Sequence, residues 1–173
     1  MEPRHGRAPA EGGLSLSRAL DGFDRRILAC LQVQGDAGVA QLSEAVFLSP
    51  SQCSRRVHRL RAEGYITRMV ALLDRDRLNL AITAYVLVTL RSHGAAERKA
   101  FAARVGGLDE VLECASLAGE ADFLVKICTR DLRSYNSLLM HRLLAAPEVA
   151  TVRTSVVLDA IKEATGLPLG FAT

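Results

Sequence analysis

The sequence predicts an α+β chain: an N-terminal winged helix-turn-helix followed by a βαββαβ ferredoxin-like (ACT-like) domain. Three observations carry that prediction. Two helical patterns, 39–46 and 50–62, are separated only by Phe47-Leu48-Ser49, the spacing of a helix-turn-helix. Past residue 80 the pattern becomes β-branched runs and helical runs in the order β-α-β-β-α-β. Positive charge belongs to the first half: residues 1–75 hold 11 Arg against 8 acids, and residues 76–173 hold 11 Lys plus Arg against 11 acids. The expected organisation is an arm over 1–17, the winged helix-turn-helix over 18–73, a linker over 74–80, the ferredoxin-like domain over 81–159 and a tail over 160–173.

Each element has its own signal. Residues 1–17 are rich in Pro, Gly and Ala and lack a hydrophobic signal core, so a disordered arm is expected. Asp21 stands as the N-cap of a first helix, with Asp24 in the place of a capping-box acid. Phe23, Ile27, Leu28 and Leu31 form the buried stripe, and Gln34-Gly35-Asp36 ends the helix. The second helix turns Leu42, Ala45 and Val46 inward. In the third, Ser49 is placed to cap and Pro50 falls at the first helical position, where a missing N–H costs nothing. Leu48 and Cys53 stand where a hydrophobic staple sits. Cys53, Val57 and Leu60 make the inner stripe.

The outer face of that third helix carries Ser51, Gln52, Ser54, Arg55, His58, Arg59 and Arg61, flanked by Ser49 and Arg56. A dry stripe backed by a donor-rich face suits a phosphate-lined groove. A solvated surface helix shows the same pattern; the short helix and tight turn before it tip the reading toward DNA. Ser51, Gln52 and Ser54, near the helix start, are the expected base readers. Tyr65–Leu72 reads as a strand, either a wing or a link, and Asp74-Arg75-Asp76-Arg77 as a polar connection.

In the second half, Ala81–Leu90 reads as a strand, and Ala95–Val105 as a helix closed by Gly106-Gly107. Val111–Leu117 and Phe123–Cys128 read as strands joined by a turn at Gly119-Glu120. Asp131 caps a helix that Pro147 prevents from continuing, and Val149–Leu158 reads as the last strand. The tail from Ala160 is expected to be a short helix or edge segment.

Composition excludes several classes. No apolar run approaches the length of a bilayer span. Cys30, Cys53, Cys114 and Cys128 form no close C-x-x-C pair and lie in apolar periodic segments, which predicts buried thiols in a reducing cytosol. His5, His58, His93 and His141 do not cluster near them, so no metal site is expected. No cofactor is implied.

The chain resembles the Lrp/AsnC (feast/famine) family of transcriptional regulators. The marks are Leu20-Asp21-x-x-Asp24-x-x-Ile27-Leu28, Leu42-Ser43, Leu48-Ser49-Pro50-x-x-Cys53 and Arg56-Val57-x-Arg59-Leu60. They continue as Glu63-Gly64-Tyr65-Ile66, Gly119-x-x-Asp122-Phe123 and Asp131-x-x-x-Tyr135. The resemblance implies a DNA-binding regulator that responds to a small metabolite, usually an amino acid, with dimers assembling into octamers. Cytoplasmic, nucleoid-associated placement goes with it. Its effector loop corresponds here to Gly119-Glu120-Ala121-Asp122. Gly119 would let backbone N–H groups approach a carboxylate, Asp122 would take the ammonium, and Thr154 and Ser155 would add hydroxyl bonds. Phe47 departs from the family pattern, which commonly has Gly there, and Ala37 replaces a larger apolar residue. Siroheme decarboxylases resemble the same family and give an enzyme alternative, but no His/Arg cluster falls on the strands. A metabolite-binding module without DNA binding is the third reading, opposed by the intact donor face.

Overall fold

A computed structural model describes residues 19–163 and 166–171. The expected arm over 1–17 lies outside the described residues. The described residues divide into two units: one spans residues 74–160, and the other combines residues 19–73 with residues 161–163 and 166–171.

The first unit is built on three helices, α1 (Gly22–Val33), α2 (Val39–Val46) and α3 (Pro50–Ala62). Asp21 caps α1 by accepting from the Phe23 and Asp24 amides at 2.9 Å each. Asp24 returns the bond, accepting from the Asp21 amide at 3.2 Å, so the expected capping box is formed. Leu20, Ile27, Leu28, Leu42, Val46, Cys53 and Leu60 make the core, with Leu48, Val57 and Tyr65 packed against it. That is the stripe the 3.6-residue period selects. Phe47 takes the left-handed conformation, φ 58° and ψ 47°, and its ring is exposed.

One expectation for this unit needs correction. Residues 65–72 form no strand among the described residues. The segment is rich in apolar and β-branched residues, yet a strand is completed by ladder bonds, and no neighbouring strand among the described residues of this unit supplies them. Met69, Val70, Leu72 and Leu73 are exposed instead. Of the two alternatives for the tail, the described residues take the short helix. The Gln32 side chain accepts from the Leu167 amide at 2.6 Å and donates to its carbonyl at 3.2 Å. A short 3₁₀ turn, Leu169–Phe171, brings Leu169 against the helical core.

The second unit is a four-stranded antiparallel sheet with helices. Its elements are β1 (Ile82–Leu90), α4 (Ala95–Gly106), β2 (Val111–Ser116), β3 (Phe123–Thr129), α5 (Leu132–Leu138) and β4 (Val149–Val156). A π turn, Leu139–Leu143, extends α5. The strand order β2-β3-β1-β4 is the one a βαββαβ chain gives when both crossovers lie on one face. β1 is central, with Val86 opposite Val125 on β3 and Thr154 on β4. Ala84, Val86, Val88 and Leu90 face Phe101 and Val105 of α4 and Tyr135 and Leu138 of α5. Tyr85 and Leu87, on the alternate face, are partly exposed. Buried Glu148 accepts from the Arg104 Nε at 2.9 Å, tying α4 to the start of β4.

The cysteines are free thiols. Cys53 and Cys128 are buried as expected, but Cys114 is exposed, because β2 is an edge strand and the helices do not cover it.

Candidate nucleic-acid interface and effector pocket

The start of α3 is held by a reciprocal cap. Ser49 Oγ accepts from the Gln52 amide at 3.3 Å, and Gln52 Oε1 accepts from the Ser49 amide at 3.2 Å. Ser49 Oγ also meets Ser51 Oγ at 3.2 Å. Ser49 is therefore a cap, and Gln52 has only its amide NH₂ left to offer a base edge. Ser51, Ser54, Arg55, His58 and Arg61 are exposed along α3. The first four recur at i, i+3, i+4 and i+7, one outward row of a helix. Arg61 Nη2 lies 3.2 Å from Met69 Sδ.

Arg56 and Arg59, also in the expected set, are paired within the unit. Arg56 Nη1 donates to Asp21 Oδ2 and to Asp24 Oδ1, each at 2.7 Å. Arg59 Nη2 donates to Asp24 Oδ2. Both guanidiniums turn toward α1, away from the outward row. The cause is Asp24, fully buried: a carboxylate taken from water must be paired with cations. Burial works to raise the Asp21 pKa, but hydrogen bonds from the Asp24 backbone and Arg56 outweigh it and hold it at about 2. Arg56 also stands over the Phe23 ring, 5.4 Å from its centroid. The signal was available in the sequence. Two acids one turn apart at the start of α1 require counter-charges, and the α3 arginines beside the Cys53–Leu60 stripe supply them.

In the second unit the β2–β3 hairpin closes with the Leu117 amide donating to the Asp122 carbonyl at 2.8 Å. A cavity of about 270 Å³ lies beside it, lined by Gly119, Glu120 and Ala121 together with Leu87, Thr89 and Arg153. Asp122, expected as the ammonium acceptor, does not line it. Its carboxylate is buried and accepts from the Leu90 amide at 2.9 Å and from Arg98 Nη1 at 3.0 Å. His93 Nδ1 sits 2.9 Å from the same carboxylate. The Leu90 amide bond leads the effects that lower its pKa. Arg98 also bonds Ser116 and stacks over Phe123.

Thr154 and Ser155 are also absent from this cavity. Adjacent strand residues point to opposite faces, so the two hydroxyls cannot serve one site. Thr154 Oγ1 bonds the Tyr135 hydroxyl on the helical face. Ser155 stands opposite Tyr85 on the other face. Arg153, which sequence reasoning did not single out, is opposite Leu87 and reaches Glu120 at 3.8 Å. Its signal was the alternation of β4 itself, which puts Thr151, Arg153 and Ser155 on one face.

Among the described residues, no group of three His, Cys, Asp or Glu side chains is placed to hold a metal. No helix among them is long and apolar enough to cross a membrane.

Residues 20–61 match the AsnC-type helix-turn-helix domain, and residues 83–167 match the Lrp/AsnC ligand binding domain. The chain is 36% identical over 148 residues to the leucine-responsive regulatory protein of Salmonella typhimurium, covering 86% of this chain and 90% of that one. It is 33% identical over 150 residues to the DNA-binding transcriptional activator DecR of Escherichia coli, covering 87% and 99%. Among solved structures, a transcriptional regulator of Neisseria meningitidis in complex with L-Met superposes with TM-score 0.84 at 37% identity, covering 87% and 97%. An AsnC family regulator of Agrobacterium tumefaciens superposes with TM-score 0.83 at 32% identity, covering 88% and 99%. The chain belongs to the Lrp/AsnC family of transcriptional regulators, with an AsnC-type helix-turn-helix domain and an Lrp/AsnC ligand binding domain.

Proposed function

We propose that this regulator reads duplex DNA with the outward row of α3 and responds to an amino acid held at the β2–β3 hairpin. The observation that carries the DNA reading is the division of labour along α3. Arg56 and Arg59 are bound to α1, while Ser51, Ser54, Arg55 and His58 stand exposed in one row. Ser51 and Ser54, with the Gln52 amide, are nearest the helix start and read bases. Arg55, His58 and Arg61 take phosphates. Selection of bound genomic fragments, followed by gel shifts on the selected sites, tests this. Ser54→Ala is expected to change sequence preference, and an unchanged preference in the Ser51→Ala/Ser54→Ala variant overturns the assignment.

The effector reading rests on the hairpin cavity and on the L-Met complex of the Neisseria relative. Arg153 supplies a cation for the carboxylate, with backbone N–H groups of Gly119 and its neighbours beside it. Glu120 replaces Asp122 as the acid for the ammonium. Thermal-shift screening of the twenty amino acids tests this, with L-Met among the first. Arg153→Ala is expected to lose the ligand response while the ligand-free melting temperature stays put. A variant that still responds at the same concentration places the pocket elsewhere.

Assembly into a dimer, and of dimers into an octamer, is part of the same proposal. Exposed apolar residues at 69–73 and the open face of the sheet at Tyr85 and Leu87 support it. Light scattering that returns a monomer at micromolar concentration refutes it. We place the protein in the cytoplasm, on the nucleoid, as a regulator and not an enzyme.

A further inference from the structure

A second cavity lies in the ligand-binding unit, of about 520 Å³. It shares no lining residue with the hairpin cavity. Leu108 and Glu110, between α4 and β2, form one side. Arg133, Ser137, His141 and Arg142, on α5 and its π turn, form the other. The π turn matters here. Its hydrogen bond from the Leu144 amide to the Leu139 carbonyl, 2.8 Å, spans five residues. The adjacent His141 and Arg142 of this turn both line the depression, and such turns recur at functional sites.

These side chains are unspent. Among the described residues, no hydrogen bond or ion pair reaches the side chains of Arg133, Ser137, His141, Arg142 or Glu110. In the same unit Arg98 and Arg104 are committed to the buried carboxylates of Asp122 and Glu148. Two guanidiniums and an imidazole line one open depression and present N–H donors to it that no protein acceptor uses. The planar guanidinium fork matches phosphate oxygens in pairs. Glu110 disfavours a bare anion but accepts from hydroxyl groups. The volume is within the range of small-molecule sites.

We propose that this cavity is a second ligand site, distinct from the hairpin pocket, for a phosphate monoester of a hydroxylated small molecule. Arg133 and Arg142 hold the phosphate, His141 and Ser137 add donors, and Glu110 accepts from the hydroxylated body. Calorimetric titration of the full chain with ribose 5-phosphate, inorganic phosphate and ribose tests it. Ribose 5-phosphate is expected to bind at least about tenfold more tightly than inorganic phosphate, and ribose not at all. Arg133→Gln/Arg142→Gln is expected to lose at least about tenfold in affinity with DNA binding retained. Glu110→Gln is expected to narrow the preference over inorganic phosphate. In the unaltered protein the ligand shifts the His141 ring resonances in NMR spectra, a readout that does not depend on how any variant folds. Four results overturn the proposal: no binding below roughly millimolar ligand, equal binding of inorganic phosphate, full affinity in the double variant, or unmoved His141 resonances at saturation.

Discussion

Arg55 and Arg56 are neighbours in the sequence with opposite duties. Arg55→Ala is expected to weaken DNA binding and to lower the log–log salt slope by about one, because one phosphate contact is lost. Its melting temperature should not move. Arg56→Ala/Arg59→Ala leaves Asp24 buried and unpaired, and breaking such a pair costs about 3–5 kcal/mol. Urea unfolding reads that loss directly. Acid acts on the same cluster. The folded Asp21 pKa of about 2 lies below its ordinary value of 3.8, so the unfolded chain takes up the proton first. The stabilisation is complete above the unfolded value and is lost as pH falls through 3.8 toward 2. Asp21→Asn should flatten that part of the stability–pH curve. The sequence announced the outward row of α3 through its 3.6-residue period. The inward turn of Arg56 and Arg59 was legible only through the acids at the start of α1, because a guanidinium on a helix flank can swing either way. Only the buried Asp24 decides.

Elements set the next level. Asp122 joins the end of β1, α4 and the hairpin through Leu90, Arg98 and its own amide bond to the Val88 carbonyl at 2.9 Å. Asp122→Ala is therefore expected to lower the melting temperature with no ligand present, since unmade buried hydrogen bonds cost about 1–3 kcal/mol. Arg153→Ala should leave it unchanged. The α2–α3 turn gives the reverse case. Phe47 holds a left-handed backbone with its ring exposed, a conformation costing about 1–2 kcal/mol for a side-chain-bearing residue. Phe47→Gly relieves this but adds about 0.5–1 kcal/mol of unfolded-chain entropy. A net stabilisation of about 0.5 kcal/mol is expected by urea unfolding. Strands 82–90, 111–116, 123–129 and 149–156 were legible because alternation and turn residues bound them. Residues 65–72 are largely apolar and free of Gly and Pro as well, but composition describes only what a strand tolerates. A strand also needs a neighbour, and no local sequence pattern specifies one.

At the scale of the whole chain, two hydrophobic clusters share no residue: one runs from Leu20 to Leu60, the other from Ala84 to Val149. Leu60→Ala and Phe101→Ala each remove a fully buried side chain and should each cost about 2–5 kcal/mol. Hydrogen exchange should report each loss within its own unit. The tail was the least legible stretch, because its partner in the fold is remote in sequence. Gln32 and Leu167 are 135 positions apart. Translation runs in one direction, so the helical unit, made ahead of the sheet unit, waits for its two Gln32–Leu167 hydrogen bonds until the sheet has been made. The sheet unit, residues 74–160, has emerged entirely before Leu167 arrives. A nascent chain stalled before that point carries a helix-turn-helix still missing its final brace. Force-profile measurements along the growing chain would register the sheet's folding first and a small later step once Leu167 has emerged.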